Sequence, residues 1–219
     1  MTNAKKTLTD QTTQDLVARL KQKITSGEYR PGEWLKQIDI EQTFEVNRFT
    51  VRSAFSELQS SGFLHHEPYK GYRVIEHSLQ ERIELTEARE VIECAAAANV
   101  LANIDDAGLE QLESLAEAFL QAVEEDMSEE MFRLNAEFHR CFNAYYRNLH
   151  LSQMIDDLRE RGVGSANRGW SKKAIQRDSA LDHINMVQAL KEKNLVRLQA
   201  VIHAHLNRWR QAYPELSRR

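Results

Sequence analysis

The stretch Ile38-Asp39-Ile40-Glu41-Gln42-Thr43-Phe44-Glu45-Val46-Asn47-Arg48-Phe49-Thr50-Val51-Arg52-Ser53-Ala54-Phe55-Ser56-Glu57-Leu58-Gln59-Ser60 decides the fold of the first third of the chain. Ile40 and Phe44 lie four apart and give a short helix over 38–44 one apolar side. Asn47 carries a side-chain oxygen suited to capping a second helix. That helix, 48–60, turns Val51, Phe55 and Leu58 to one face, and Gly62 ends it. Two short helices joined by a tight turn, the second with a free polar face, form a helix-turn-helix. Working outward, residues 10–26 place Leu16, Leu20 and Ile24 at helical spacing with Gly27 as a stop. Residues 29–35 read as an extended stretch broken by Pro31-Gly32. On the other side, 63–66 and 72–75 read as two strands joined by Glu67-Pro68-Tyr69-Lys70-Gly71. This order predicts a winged helix-turn-helix over 1–75.

Beyond a linker at 76–79 the pattern changes. Apolar residues recur at helical spacing in six segments, about 79–102, 106–125, 128–146, 149–164, 171–193 and 195–212, broken by Gly, Asn, Asp or Ser. No strand-like alternation of any length interrupts them. The expected fold is therefore mainly α: the winged domain at 1–75, then an antiparallel all-α bundle of six to seven helices over 80–219.

Bulk properties narrow the class. The 219 residues are 42% hydrophobic and 28% charged, which suits a soluble globular protein. No apolar run approaches the roughly 18 residues that span a bilayer, and residues 1–10 hold no signal-peptide core. Cys94 and Cys141 sit inside helical patterns without CxxC spacing, so reduced thiols and a cytoplasmic setting are expected. The net charge of −4 is unevenly spread: residues 1–75 hold 11 Lys/Arg and 9 Asp/Glu, and the remainder 18 and 24. This permits contact with nucleic acid by the first part without establishing it.

Two constellations carry chemistry. On the helix at 48–60, Arg48 and Arg52 are four apart and share a face away from Val51, Phe55 and Leu58. Guanidinium suits both guanine edges and phosphates, although an isolated pair of this kind is commonly a solvated face. Thr50 can add a contact, and Lys70 at the wing tip could reach a phosphate. The second constellation lies in the bundle. Phe132, Asn135, His139 and Phe142 lie on one line; His183 lines up with Val187 and Leu190, and His205 with Leu198, Ile202 and Trp209. His203 lies on a polar stripe and should face water. Buried polar groups need partners. Three histidines from three helices, with an amide oxygen, suggest a shared centre for a divalent ion such as zinc or nickel. A hydrogen-bonded core cluster is the other reading.

The first constellation resembles the GntR-type winged helix. The resemblance rests on Gly27-Glu28-Tyr29-Arg30-Pro31-Gly32-Glu33-Trp34-Leu35, on residues Val46 to Phe55, and on Leu58 to Leu64. It implies Arg48, Thr50 and Arg52 as DNA contacts, with Gly71 at the wing tip. Two residues depart from the pattern: Glu45 stands where a turn glycine is common, and Phe49 where a small residue is usual, which puts a bulky ring near base edges. The bundle resembles the FCD-type ligand-binding domain of the FadR subfamily, through Leu134-Asn135-Ala136-Glu137-Phe138-His139, Asp182-His183-Ile184 and Ala204-His205-Leu206. That resemblance implies a divalent metal, zinc or nickel, on Asn135, His139, His183 and His205, with Asn135 where Asp is commoner. It also implies a small carboxylate effector near Arg89, which follows Thr86-Glu87-Ala88, and near Trp170. Salt-bridging for Arg89, an aromatic wedge for Trp170 and a metal-free pocket are the corresponding alternatives.

The function expected is a DNA-binding regulator, a repressor, acting as a homodimer on a pseudo-palindromic operator of double-stranded DNA. One winged helix covers too few base pairs to be specific alone. A zinc hydrolase or lyase is the rival reading, since three histidines with an open position can activate water. Glu137, the obvious base, is two residues from His139 and so faces elsewhere. HExxH, Ser/His/Asp and phosphate-loop patterns are absent from the sequence, so no enzyme activity is expected. A helical interaction protein with structural histidines is the third reading.

Overall fold

In the computed structural model the described residues are 2–163 and 172–213. They divide into two compact units, residues 2–78 and residues 79–162 with 172–213. The first unit opens with α1, Thr2–Thr25, then β1, Trp34–Leu35, α2, Gln37–Phe44, and α3, Arg48–Ser60. The wing strands β2, Leu64–Glu67, and β3, Gly71–Val74, complete it. Helix α1 starts well before the expected residue 10, through a polar stretch with no apolar repeat to read. Of the extended stretch 29–35 only Trp34 and Leu35 form a strand. This strand pairs antiparallel with β3, so the wing is a three-stranded sheet in the order β1-β3-β2. In the β2–β3 hairpin Leu64 stands opposite Val74 and Glu67 opposite Gly71.

One apolar core holds this unit. Leu16, Leu20 and Ile24 of α1 meet Ile40 and Phe44 of α2, Val51, Phe55 and Leu58 of α3, and Leu64 and Val74 of the wing. Helix α3 begins where the sequence places it because Asn47 is extended and its side-chain oxygen accepts the Thr50 backbone N–H at 3.0 Å. The turn before it is tight: Glu45 closes α2 at φ 54°, ψ 40°, the left-handed region that a β-carbon disfavours.

The second unit is helical: α4, Leu79–Asn103; α5, Asp106–Glu124; α6, Ser128–Ala144; α7, Leu149–Val163; α8, Lys173–Lys191; and α9, Leu195–Asn207. The last expected helix changes character at Arg208, where a 3-10 segment, Arg208–Ala212, takes over. Helix α5 packs on α6 and α8, and α9 on α4 and α8, around Phe138, Phe142, Tyr146, Ile155, Leu190 and Ile202. The 3-10 segment is seated on α4 by Arg82. Its guanidinium lies 4.9 Å from the Trp209 ring and donates to the Tyr213 hydroxyl at 2.8 Å. The Trp209 indole N–H donates to Thr86 Oγ1 at 3.0 Å. Among the described residues no helix is long and apolar enough to cross a membrane.

The left-handed turn residue gives a direct stability test. Glycine removes the β-carbon strain of about 1–2 kcal/mol but adds about 0.5–1 kcal/mol of unfolded-chain entropy. Glu45→Gly is therefore expected to raise the unfolding free energy by about 0.5–1 kcal/mol. Glu45→Val should lower it, both read by urea denaturation.

Candidate nucleic-acid interface and metal centre

Helix α3 separates its residues by face. Val51, Ala54, Phe55 and Leu58 are buried, while Arg48 and Arg52 are exposed and, among the described residues, form no ion pair. Phe49 beside them is 68% exposed. A groove lined by Arg48, Phe49, Arg52, Ser53 and Ser56 runs toward Tyr72 of β3. On the wing, Lys70 donates to Glu67 at 2.9 Å and Arg73 donates to the same carboxylate at 2.9 Å. The hydrogen bond from Lys70 and the two cationic charges hold the Glu67 carboxyl below its ordinary range. Gly71 sits at φ 105°, and nothing lies within 4 Å of where its β-carbon would be. Beside it Tyr69 is fully exposed at a positive φ of 67°.

Thr50 corrects the expected contact set. It is 1% exposed, and its hydroxyl lies 3.3 Å from the Asn47 cap oxygen. The third position of a capped helix points back over the cap, so this hydroxyl serves the helix start and is withdrawn from the groove.

In the second unit the three histidines do converge. One ring nitrogen from each of His139 on α6, His183 on α8 and His205 on α9 lies within 4.8 Å of the others. His183 Nε2 and His139 Nε2 are 3.1 Å apart. Two imidazoles on one zinc ion at about 2.0–2.1 Å per bond stand about 2.8–3.4 Å apart for angles between square and tetrahedral. The same separation also suits one imidazole donating to the other. Phe138 stacks on His183 at 4.0 Å with rings 6° from parallel, fixing its plane. His205 is oriented from behind: its Nδ1 lies 3.7 Å from Asp182, which accepts two hydrogen bonds from Arg208 at 2.8 and 2.7 Å. Burial pushes the Asp182 carboxyl up, but the Arg208 and His205 bonds outweigh it and hold it below the usual carboxylate range. A carboxylate behind a histidine fixes which ring nitrogen is free and makes it a better ligand.

Burial disfavours the protonated form of all three imidazoles. Burial drives His139 and His183 well below the ordinary histidine range, with the positive charge of Arg159 acting in the same direction. For His205 burial also wins, against the opposing pull of Asp182. Neutral imidazole is the metal-binding form. Asn135 supplies a fourth candidate, since its Oδ1 is buried and without a hydrogen-bond partner. His203, as its stripe implied, is exposed and faces Glu90 at 3.6 Å. Trp170 lies outside the described residues.

Arg89 is bound up with its own helix: its Nε donates to Glu93 at 2.7 Å. The sequence reading missed the group on the other side of that carboxylate. Arg159 of α7, 17% exposed, brings Nη1 to 3.9 Å from Glu93 Oε2, too far for a hydrogen bond. This Nη1 is buried and makes none. Burial, then the like charge of Arg89, lowers Arg159 to about 10. A signal was present in the sequence, for Arg159 follows buried Ile155 by one turn. Asp182, adjacent to His183, was likewise quoted as part of a motif without a role.

Comparison with known proteins agrees with this geometry. Residues 12–74 match the family model for bacterial regulatory proteins of the gntR family, and residues 84–208 match the FCD domain. The HTH-type transcriptional regulator YdhC of Bacillus subtilis is 23% identical over 190 residues, covering 86% of this chain and 85% of that one. The HTH-type transcriptional repressor RspR of Escherichia coli is 29% identical over 110 residues, covering 50% of this chain and 48% of its own. In fold, the structure titled E. coli McbR/YncC superposes with a TM-score of 0.82 at 22% identity, covering 94% of this chain and 98% of that chain. The families are those of regulators rather than enzymes. This chain is a DNA-binding transcriptional regulator of the GntR family with an FCD domain.

Proposed function

We propose that the protein is a repressor whose grip on a pseudo-palindromic operator is set by a small carboxylate bound with a divalent metal. As a homodimer it uses Arg48, Phe49 and Arg52 of α3 to read the major groove, with Lys70 and Gly71 of the wing against the backbone. The relative RspR motivates the negative sign, since it is described as a repressor.

The observation that carries the sensor half is a pair of unmatched buried atoms of opposite polarity. Asn135 Oδ1, one turn before His139 on α6, is an acceptor with nothing to accept. Arg159 Nη1 is a donor with nothing to receive its proton. Buried polar atoms are rarely left this way. A cation answers the first and an anion the second. His139, His183 and His205 fit zinc or nickel by donor type, with ring nitrogens within 4.8 Å of one another, and Asn135 fits by donor type; a metal there would supply a Lewis-acidic point for a carboxylate oxygen. Arg89 pairs with Glu93, which leaves Arg159 as the second cation beside that carboxylate. His205, Asp182 and Arg208 then lead to the 3-10 segment, whose Trp209 and Tyr213 rest on Thr86 and Arg82 of α4. A ligand shifts DNA affinity only as far as it favours one arrangement of this path over another.

In gel shifts on a selected operator, Arg48→Ala and Arg52→Ala should each weaken binding by about 1–3 kcal/mol if they read a base, or lower the salt slope by about 1 if they hold a phosphate. No effect from either variant would remove α3 as the reader, and a selected site without two-fold symmetry would remove the dimer.

For the sensor, untagged protein should take up one zinc per chain. Zinc at about a hundred times its Kd should add about 2.7 kcal/mol of stability, read as a rise in melting temperature. His183→Ala should abolish that rise. An unchanged melt with zinc in the intact protein, with operator binding still responsive to carboxylates, would establish a metal-free pocket instead.

A further inference from the structure

The geometry points to Arg159 as the anchor for a second acid group, and so to a dicarboxylate as the ligand class of the sensing unit. This rests on the carboxylate reading above and sharpens it. The first support is charge balance. Beside the three histidines Asn135 carries no charge, and Asp182 is matched by Arg208, which donates to it twice. Glu93 is used by Arg89, its hydrogen-bonded partner at 2.7 Å. Arg159, 3.9 Å from that same carboxylate, is left as a cation in excess. A divalent metal on the three histidines adds two positive charges, and Asn135 removes none of them. One carboxylate on the metal leaves the guanidinium still unmatched. A second carboxylate on the same molecule matches it.

The second support is the unmade hydrogen bond. A buried guanidinium is retained at a cost unless an anion meets it, and planar N–H pairs match carboxylate oxygens in a fork. Glu93 accepts from Arg89 through Oε1, and its Oε2 stands 3.9 Å from Arg159 without a hydrogen bond, so one carboxylate faces two guanidiniums. Nη1 of Arg159 is buried, makes no hydrogen bond, and its charge acts on all three imidazoles of the candidate metal centre. A purely structural arginine would be expected to close onto Glu93, and this one does not.

The test compares succinate with butyrate, which has the same carbon count and one acid group. Calorimetric titration of the zinc-loaded protein should give succinate the tighter binding by about tenfold, the scale of one interaction of about 1.4 kcal/mol. Arg159→Gln and Arg159→Met should erase that preference by weakening succinate far more than butyrate. Arg159→Lys should recover part of it. Melting of the ligand-free, metal-free protein provides a separate readout. Removing a guanidinium that lacks its anion should leave the melting temperature unchanged or higher, whereas a structural role predicts a fall. Equal binding of the two acids by the intact protein, or full succinate affinity in Arg159→Gln, would overturn the dicarboxylate assignment and leave the carboxylate reading standing. Failure of both acids to bind the zinc-loaded protein would overturn the carboxylate reading itself.

Discussion

Arg208 holds Asp182 by two hydrogen bonds, and Asp182 in turn faces His205. Much of the second unit depends on this arrangement. Without it His205 could turn either nitrogen to the centre, and the buried carboxylate would lack its cation. The pair also ties α8 to the first residue after α9, so the orientation of one imidazole and the course of the C-terminal segment are fixed together. Breaking a buried pair by removing one partner is far more disruptive than never having made it.

The first unit is organised by a simpler constraint. Helix α3 has 13 residues, and its apolar line must face α1 and α2. Once Val51, Phe55 and Leu58 are inside, Arg48, Phe49 and Arg52 have nowhere to go but outward. The reading surface is therefore a consequence of the core rather than an addition to it. The Asn47 cap and the left-handed Glu45 then set where that surface starts.

Much of this was legible in the sequence because it depends on periodicity. The bounds of α3, the sequence of helices in the second unit and the three histidines all follow from apolar spacing, and His203 was separated from them by the same argument. The extent of α1 was not legible, since a helix running through polar residues leaves no apolar stripe. Nor was the fate of Thr50. It lies on the line of buried Ala54 and Leu58, but a threonine at the edge of an apolar line is ambiguous until its contact with the Asn47 cap is known. Arg159 and Asp182 escaped because a charged residue on an apolar line is ambiguous until its partners are known. The groups they face, Glu93 and Arg208, lie 66 and 26 positions away in the chain.

Arg82 and Arg210 place their guanidinium carbons 4.9 and 5.2 Å from the Trp209 ring. Indole excited states redistribute charge across the ring, so two nearby cations impose a defined electric field on its emission energy. The residue before Trp209 in the chain is Arg208, the partner of Asp182. A shift of Arg208 would therefore change the field on its neighbour in the chain, one of the three tryptophans of the protein.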